Sequence, residues 1–118
     1  MKSNTAVAAL SALAQDGRLA IFRALVQAGP VGLCPGELAK KLDMAAPTLS
    51  FHLAQLRHAG LIGVARQGRS LTYAADFEAM NALIGFLTEN CCGSGPDACG
   101  VAACAPVSKK ARPARRAA

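Results

Sequence analysis

Four cysteines fall between positions 91 and 104: Cys91, Cys92, Cys99 and Cys104, in the stretch ENCCGSGPDACGVAACAP that runs from Glu89 to Pro106. The Gly, Pro and Ala content of this stretch excludes a core helix or strand. Cys91 and Cys92 are adjacent, and Gly93-Ser94-Gly95-Pro96 can turn the chain back so that Cys99 joins them. Three converging thiolates are a soft donor set and select a soft, thiophilic ion. Trivalent arsenic or antimony suits such a set, because it forms a three-sulfur pyramid and keeps its lone pair uncoordinated. Cys104 is the alternative third ligand, although Val101-Ala102-Ala103 offers no comparable turn before it. Three other readings stay open at this level. Cys92 and Cys99 can form a disulfide in a redox switch, all four cysteines can hold zinc, or the thiols are incidental to a tail. The zinc reading lacks the C-x₂₋₄-C pairs usual in such sites.

A second group of residues could meet nucleic acid. Thr48, Ser50, Phe51, Gln55 and His58 lie along one helical segment, and Arg66 and Arg69 flank a tight turn beyond it. Ser and Thr serve phosphates or bases, Gln can bond adenine bidentately, and an apolar ring can meet a thymine methyl. Arginines on a hairpin tip suit phosphates or the minor groove. The net charge of +6 agrees with a polyanionic partner but is uneven. Lys109, Lys110, Arg112, Arg115 and Arg116 crowd the end of the chain. Residues 40–73 carry Lys40, Lys41, Arg57, Arg66 and Arg69 against Asp43, whereas residues 74–104 carry Asp76, Glu78, Glu89 and Asp97 and no base.

Periodicity supplies the elements that must position these groups. Ala6 to Ala14 reads as a weak helix with Val7, Leu10, Leu13 and Ala14 on one side. Asp16 can cap a second helix with an apolar face of Leu19, Phe22, Leu25 and Val26, ended by Gly29-Pro30. Pro35 suits the first turn of a short helix carrying Leu38 and Leu42. After the turn-length break Asp43-Met44-Ala45-Ala46, Pro47 opens a helix to about His58 with Leu49, Leu53 and Leu56 as its buried stripe, and Gly60 stops it. Leu61–Arg66 and Ser70–Ala74 read as strands joined at Gln67-Gly68-Arg69. Asp76 can cap a last helix to Asn90, with Phe77, Met80, Leu83, Ile84 and Leu87 on one face. His52 reads as a partly buried, hydrogen-bonded residue, and Cys34 as a small buried one.

The fold class this order implies is mainly α with a β-hairpin wing: a winged helix-turn-helix in which the second helix of the motif enters the major groove. Residues 1–90 form the DNA-binding and dimerisation domain, residues 91–104 the sensing segment, and residues 105–118 a basic disordered tail. With 53% apolar residues but no Trp and one Tyr, the core is thin, which favours a homodimer. No Ser/His/acid set, phosphate loop or carboxylate pair stands out, so no enzyme is expected. No apolar run approaches the ~18 residues of a membrane span. The Ala-rich start lacks the basic n-region of a signal peptide and reads as a helix, placing the protein in the cytoplasm. Thiols stay reduced there, which favours metal binding or redox sensing over a disulfide framework.

The segment GELAKKLDMAAPTLSFHLAQLRHAGLIGVARQGRSLTYAAD, Gly36 to Asp76, resembles the winged helix-turn-helix of the ArsR/SmtB family of metal-sensing repressors. The resemblance rests on P-T-L-S-x-H-L-x-x-L-x-x-A-G-L-I and on the wing R-x-G-R-x-x-x-Y, and extends over roughly Leu10 to Asn90. It implies a homodimer joined through its first and last helices, which binds a double-stranded operator of two half-sites and releases it when an inducer binds. Some arsenic sensors of this family carry a Cys-Cys pair after the last helix and a third Cys beyond it. The resemblance thus implies arsenite, and with it antimonite, as inducer. The family's C-x-C-type site in the short helix is incomplete here, because Cys34 is followed at the second position by Gly36. Ala45-Ala46 stands where relatives commonly have Ser-Gln, which removes a helix cap and a base-reading amide. The expected function is a dimeric transcriptional repressor released by trivalent arsenic. The rivals are a redox-responsive or zinc-type repressor, a tail-driven DNA-packaging protein, and a thiol carrier that hands metalloid to a pump.

Overall fold

A computed structural model of the chain describes residues 1–93. Cys99, Cys104 and the basic tail fall outside the described residues. The chain divides into two compact units, Met1–Met80 and the residues from Asn81 onward. The elements run α1 (Ser3–Leu13), α2 (Asp16–Ala28), a 3₁₀ turn (Gly29–Val31), α3 (Pro35–Leu42), α4 (Ala46–His58), β1 (Ile62–Gln67), β2 (Ser70–Ala75), α5 (Phe77–Leu87) and a second 3₁₀ turn (Cys91–Gly93).

In the first unit α4 packs on α1, α2, α3 and β1. Its stripe of Leu49, Leu53 and Leu56 is almost fully buried, together with Ile21 and Leu25 of α2 and Leu38 of α3. These branched side chains, each worth roughly 1.5–3 kcal/mol on burial, dominate the core. Leu61 joins them. It lies just before β1 rather than within it, donates its N–H to the Leu56 carbonyl at 3.1 Å, and accepts from the Asp76 N–H at 2.8 Å. The base of the hairpin is thereby tied to the end of α4. The hairpin is antiparallel, with Ile62 opposite Ala75 and Gln67 opposite Ser70. Gly68, at a φ of 62°, takes the left-handed conformation that the two-residue loop requires.

Several local features differ from those the pattern suggests. On α1 the inward face is Ala6, Ala9 and Ala12, while Val7 and Leu10 point to solvent. Alanines allow a close approach of backbones that Leu10 would prevent. The cap of α2 is Gln15, not Asp16: the Gln15 Oε1 accepts from the Arg18 N–H at 2.9 Å, and Asp16 is already the first helical residue. Leu19 is exposed, and Ile21 takes the core position expected of it. Asp76 does cap α5, accepting from the Ala79 N–H at 3.0 Å. Helix α5 ends at Leu87 rather than Asn90, with the Thr88 hydroxyl bonded to the Ile84 carbonyl.

A further pairing went unread in the sequence. Leu33 forms an isolated antiparallel bridge with Tyr73, N–H to carbonyl in both directions at 2.8 Å, so the stretch before α3 is tied to the outer strand of the two-stranded wing. Gly32 makes this possible. Its φ of 72° and ψ of −171° belong to a region open essentially to glycine alone, and a Cβ there would run into the Tyr73 carbonyl.

Cys34 is half-buried at the N-cap of α3, not a core residue. It stands where Ser or Thr usually stands in a capping box, its side chain facing the Glu37 N–H while the Glu37 carboxylate accepts from the Cys34 N–H at 2.9 Å. The bond from the Cys34 backbone, then that to its side chain, holds the Glu37 carboxyl below the usual carboxylate range.

Two predictions follow from these contacts. Gly32→Ala should lower stability by at least ~1–3 kcal/mol, because it adds strain and a backbone clash. Gly36→Ala, in a helix with open space around it, should be neutral or stabilising by up to ~1 kcal/mol. Urea midpoints of the two variants test the contrast, and equal effects would contradict it. For Glu37, a depressed folded-state pKa means that its contribution is present above the unfolded-state pKa and fades as pH falls through the folded one. Glu37→Ala should therefore melt below wild type at pH 7, and the gap should close under strongly acidic conditions.

Candidate nucleic-acid interface

The buried leucines fix how α4 is turned about its own axis. At about 100° per residue, Leu49, His52, Leu53 and Leu56 occupy the inward arc. The arc directly opposite carries Pro47, Phe51, Ala54 and His58, with Thr48 and Gln55 on one flank and Ser50 and Arg57 on the other. All eight are exposed. The structure thus brings Thr48, Ser50, Phe51, Gln55 and His58 onto the solvent side of one helix. It adds Pro47 and Ala54, which sequence reading passed over because neither side chain forms hydrogen bonds. The same helical wheel would have found them.

The helix N-terminus adds backbone donors. The N-cap Ala45 offers no side-chain acceptor, and the first intrahelical bond runs from the Leu49 N–H to the Ala45 carbonyl at 2.9 Å. The N–H groups of Ala46 and Thr48 have no partner within the helix, and Pro47 has none to offer. Such an end favours anionic oxygens, a DNA phosphate among them.

His52 is 8% exposed, but its Nδ1 is buried without a hydrogen-bond partner among the described residues. The hydrogen-bonded histidine expected from the sequence is therefore corrected in that respect. The approach of α2 explains how the ring fits: a Cβ on Gly17 would lie 3.0 Å from the His52 Nε2, so any larger residue there would crowd the ring. On its other side, the His52 ring lies 5.9 Å from the Phe51 ring, tilted by 57°. That distance is within the range of aromatic pairs. Arg66, near the end of β1, and Arg69, in the loop, are both exposed on the wing.

In the second unit, Asn90 and Cys92 take left-handed backbone conformations with φ of 56° and 65°, and the Cys91 N–H donates to the Thr88 carbonyl at 2.9 Å. This tight turn sets the Sγ atoms of Cys91 and Cys92 3.5 Å apart, Cys91 half-buried and Cys92 exposed. With metal–sulfur bonds of about 2.3 Å, two sulfurs on one ion lie no more than about 4.6 Å apart, so the pair fits a shared ion. Among the described residues no three His, Cys, Asp or Glu side chains converge on one point. The expected third thiolate, Cys99 or Cys104, lies outside them.

A tri-helical core, an exposed second helix after a tight turn, and a two-stranded wing define a winged helix-turn-helix, the DNA-reading domain of many transcriptional regulators. Comparison with known proteins agrees. A family model described as a helix-turn-helix domain matches residues 13–64. The HTH-type transcriptional regulator YgaV of Escherichia coli (strain K12) is 36% identical over 87 residues, 74% of this chain and 86% of that protein. The solved ArsR family transcriptional regulator RHA00566 superposes with a TM-score of 0.64 at 32% identity, over 76% of this chain and 90% of that one. HlyU from Vibrio cholerae N16961, a transcriptional activator, gives 0.59 at 33% identity, over 78% and 99%, and has also been solved as reduced HlyU. The chain belongs to the ArsR family of winged helix-turn-helix transcriptional regulators.

The positions on α4 and the wing predict a division of labour on DNA. Gln55→Ala should cost ~1–3 kcal/mol on the preferred operator and relax selectivity at one base pair. Arg69→Ala should weaken all sequences alike and reduce the salt slope by about one. Binding titrations on specific and scrambled duplexes at several salt concentrations separate the two; the same uniform loss from both variants would refute the assignment.

Proposed function

We propose that the protein is a cytoplasmic, homodimeric repressor that binds an inverted-repeat operator and is released by trivalent arsenic, with antimony acting alike. The observation that carries the inducer is the 3.5 Å separation of the Cys91 and Cys92 sulfurs in a turn that follows α5. Cys99 completes the three-thiolate set, with Cys104 as the alternative. The donors are sulfur throughout, which favours a soft ion over zinc. Thr48, Ser50, Phe51, Gln55 and His58 face the major groove, and Arg66 and Arg69 hold the backbone. The dimer is supported by the exposed Val7 (62%) and Leu10 (41%) on α1, large apolar side chains on a small domain with a thin core. Binding to DNA and binding of inducer oppose one another by linkage: an ion that prefers the DNA-free form lowers DNA affinity by the same factor that DNA lowers the ion's.

A second reading has support of its own. HlyU, a relative in sequence and fold, has been solved in a form described as reduced, which admits thiol oxidation as the input. Here Cys92 and Cys99 would form the disulfide, passing two electrons and two protons to an oxidant such as peroxide.

One experiment separates the two readings. A protected operator should be released by arsenite in the presence of reductant, and zinc should act poorly. Replacing both Cys91 and Cys92 with Ser should abolish release and leave DNA binding intact. Cys99→Ser should be unresponsive and Cys104→Ser should respond. The reverse pattern moves the third ligand to Cys104. Release by peroxide with no response to arsenite under reducing conditions would install the redox reading instead.

A further inference from the structure

The outward arc of α4 has an unusual chemistry for a surface that faces a polyanion. Its centre holds no cation along Pro47, Phe51 and Ala54; these three residues lie one turn apart and form an apolar stripe. Phe51 is 59% exposed, and its ring centroid lies 5.9 Å from that of the buried His52. A large apolar ring this exposed on a helix face is available to a partner. The stripe is continuous with the groups that suit DNA: the N–H groups of Ala46 and Thr48, which have no partner within the helix, at one end, and Arg57 and His58 at the other. Its occupant is thus the floor of the major groove. The only apolar feature there is a methyl on C5 of a pyrimidine, and apolar side chains such as Ala and Phe meet it.

We infer that Pro47, Phe51 and Ala54 form a methyl-reading stripe that selects a C5-methylated pyrimidine, thymine or 5-methylcytosine, in each half-site. The inference rests on the DNA-binding reading and deepens it. Phe51 is the specificity-determining residue. Uracil and unmethylated cytosine leave the ring without a partner. Methylation of a cytosine at this position strengthens binding, which makes occupancy of such a site responsive to DNA methylation.

The test starts by selecting the preferred site of the full chain from a pool of random duplexes. No enriched site would defeat the DNA-binding reading itself. Given a site, each dT in a half-site is replaced in turn by deoxyuridine, which removes only the methyl. At one position affinity should fall about fourfold per methyl, the worth of one buried methylene. At that same position, 5-methyl-dC should bind about fourfold better than dC opposite dG. Phe51→Ala should erase both differences, and Phe51→Leu, which keeps an apolar contact, should retain them. Thermal melts identify any variant that fails to fold. If Phe51→Ala proves unfolded, the wild-type and Phe51→Leu series decide the matter. A selected site that tolerates uracil at every position, or methyl discrimination that persists in folded Phe51→Ala, overturns the inference.

Discussion

Burial of three leucines on α4 is the constraint from which the rest of the structure follows. Leu49, Leu53 and Leu56 are each at most 2% exposed and pack in a core shared with Ile21, Leu25 and Leu38. At roughly 1.5–3 kcal/mol each, their burial outweighs the ~0.5–1.5 kcal/mol of any one hydrogen bond on the outer face. Rotating the helix by one residue would expose leucine and bury Phe51 or Gln55 in its place. The core therefore dictates which side chains of α4 face outward, and that outer face is fixed before any partner arrives. Leu61 extends the same constraint to the wing, because its two backbone bonds tie the hairpin base to the last turn of α4 and to Asp76. Helix α4 and the wing are thus joined through the buried Leu61 and Ile62 between them.

Small residues do the complementary work. Ala6, Ala9 and Ala12 let α1 lie close to its neighbours, Gly17 clears the imidazole of His52, and Gly32 lets Leu33 bridge to Tyr73. Each substitutes proximity for bulk in a chain short of large aromatics. The cost is that larger apolar groups are displaced outward: Val7 and Leu10 on α1, Leu19 on α2. A 118-residue chain with such side chains outside has strong reason to bury them against a second copy.

Much of this was legible in the sequence. The order of elements, the leucine stripe of α4, the opening of α3 at Pro35, the hairpin and the Asp76 cap all follow from periodicity and cap chemistry, which are local properties. The errors came where tertiary contact overrides local preference. On α1 periodicity points the large residues inward, because it cannot tell a face of alanines packed closely from a face of leucines packed widely. Gln15 displaced Asp16 as a cap, since an amide oxygen one residue earlier serves the Arg18 N–H equally well. The Leu33–Tyr73 bridge joins residues far apart in sequence, and no local signal announces it. For the candidate interface, the exposed polar residues were visible as such, whereas Pro47 and Ala54 became visible only as members of an arc. Periodicity gives the histidine a half-inward position but no partner, and among the described residues its buried Nδ1 has none.

The proposed response also has to meet an energetic requirement. Moving an operator from 99% occupied to 1% takes about a 10⁴-fold difference in affinity between the two forms, or about 5.5 kcal/mol. A dimer carries two thiol sites, so each need supply only about half, roughly a hundredfold preference for the DNA-free form. That is close to the ~1–3 kcal/mol typical of coupling between sites. Covalent-like binding to thiolates does not help by being tight, because an ion with equal affinity for both forms shifts nothing. What matters is that the sulfur geometry differs between forms. The left-handed Cys92 sits in a turn in which the Cys91 N–H donates to the Thr88 carbonyl and the two sulfurs lie 3.5 Å apart. An ion that demands a third sulfur shifts the balance only as far as the two forms differ in how they offer that sulfur beside the pair. The requirement thus falls on the turn itself rather than on the strength of the sulfur bonds.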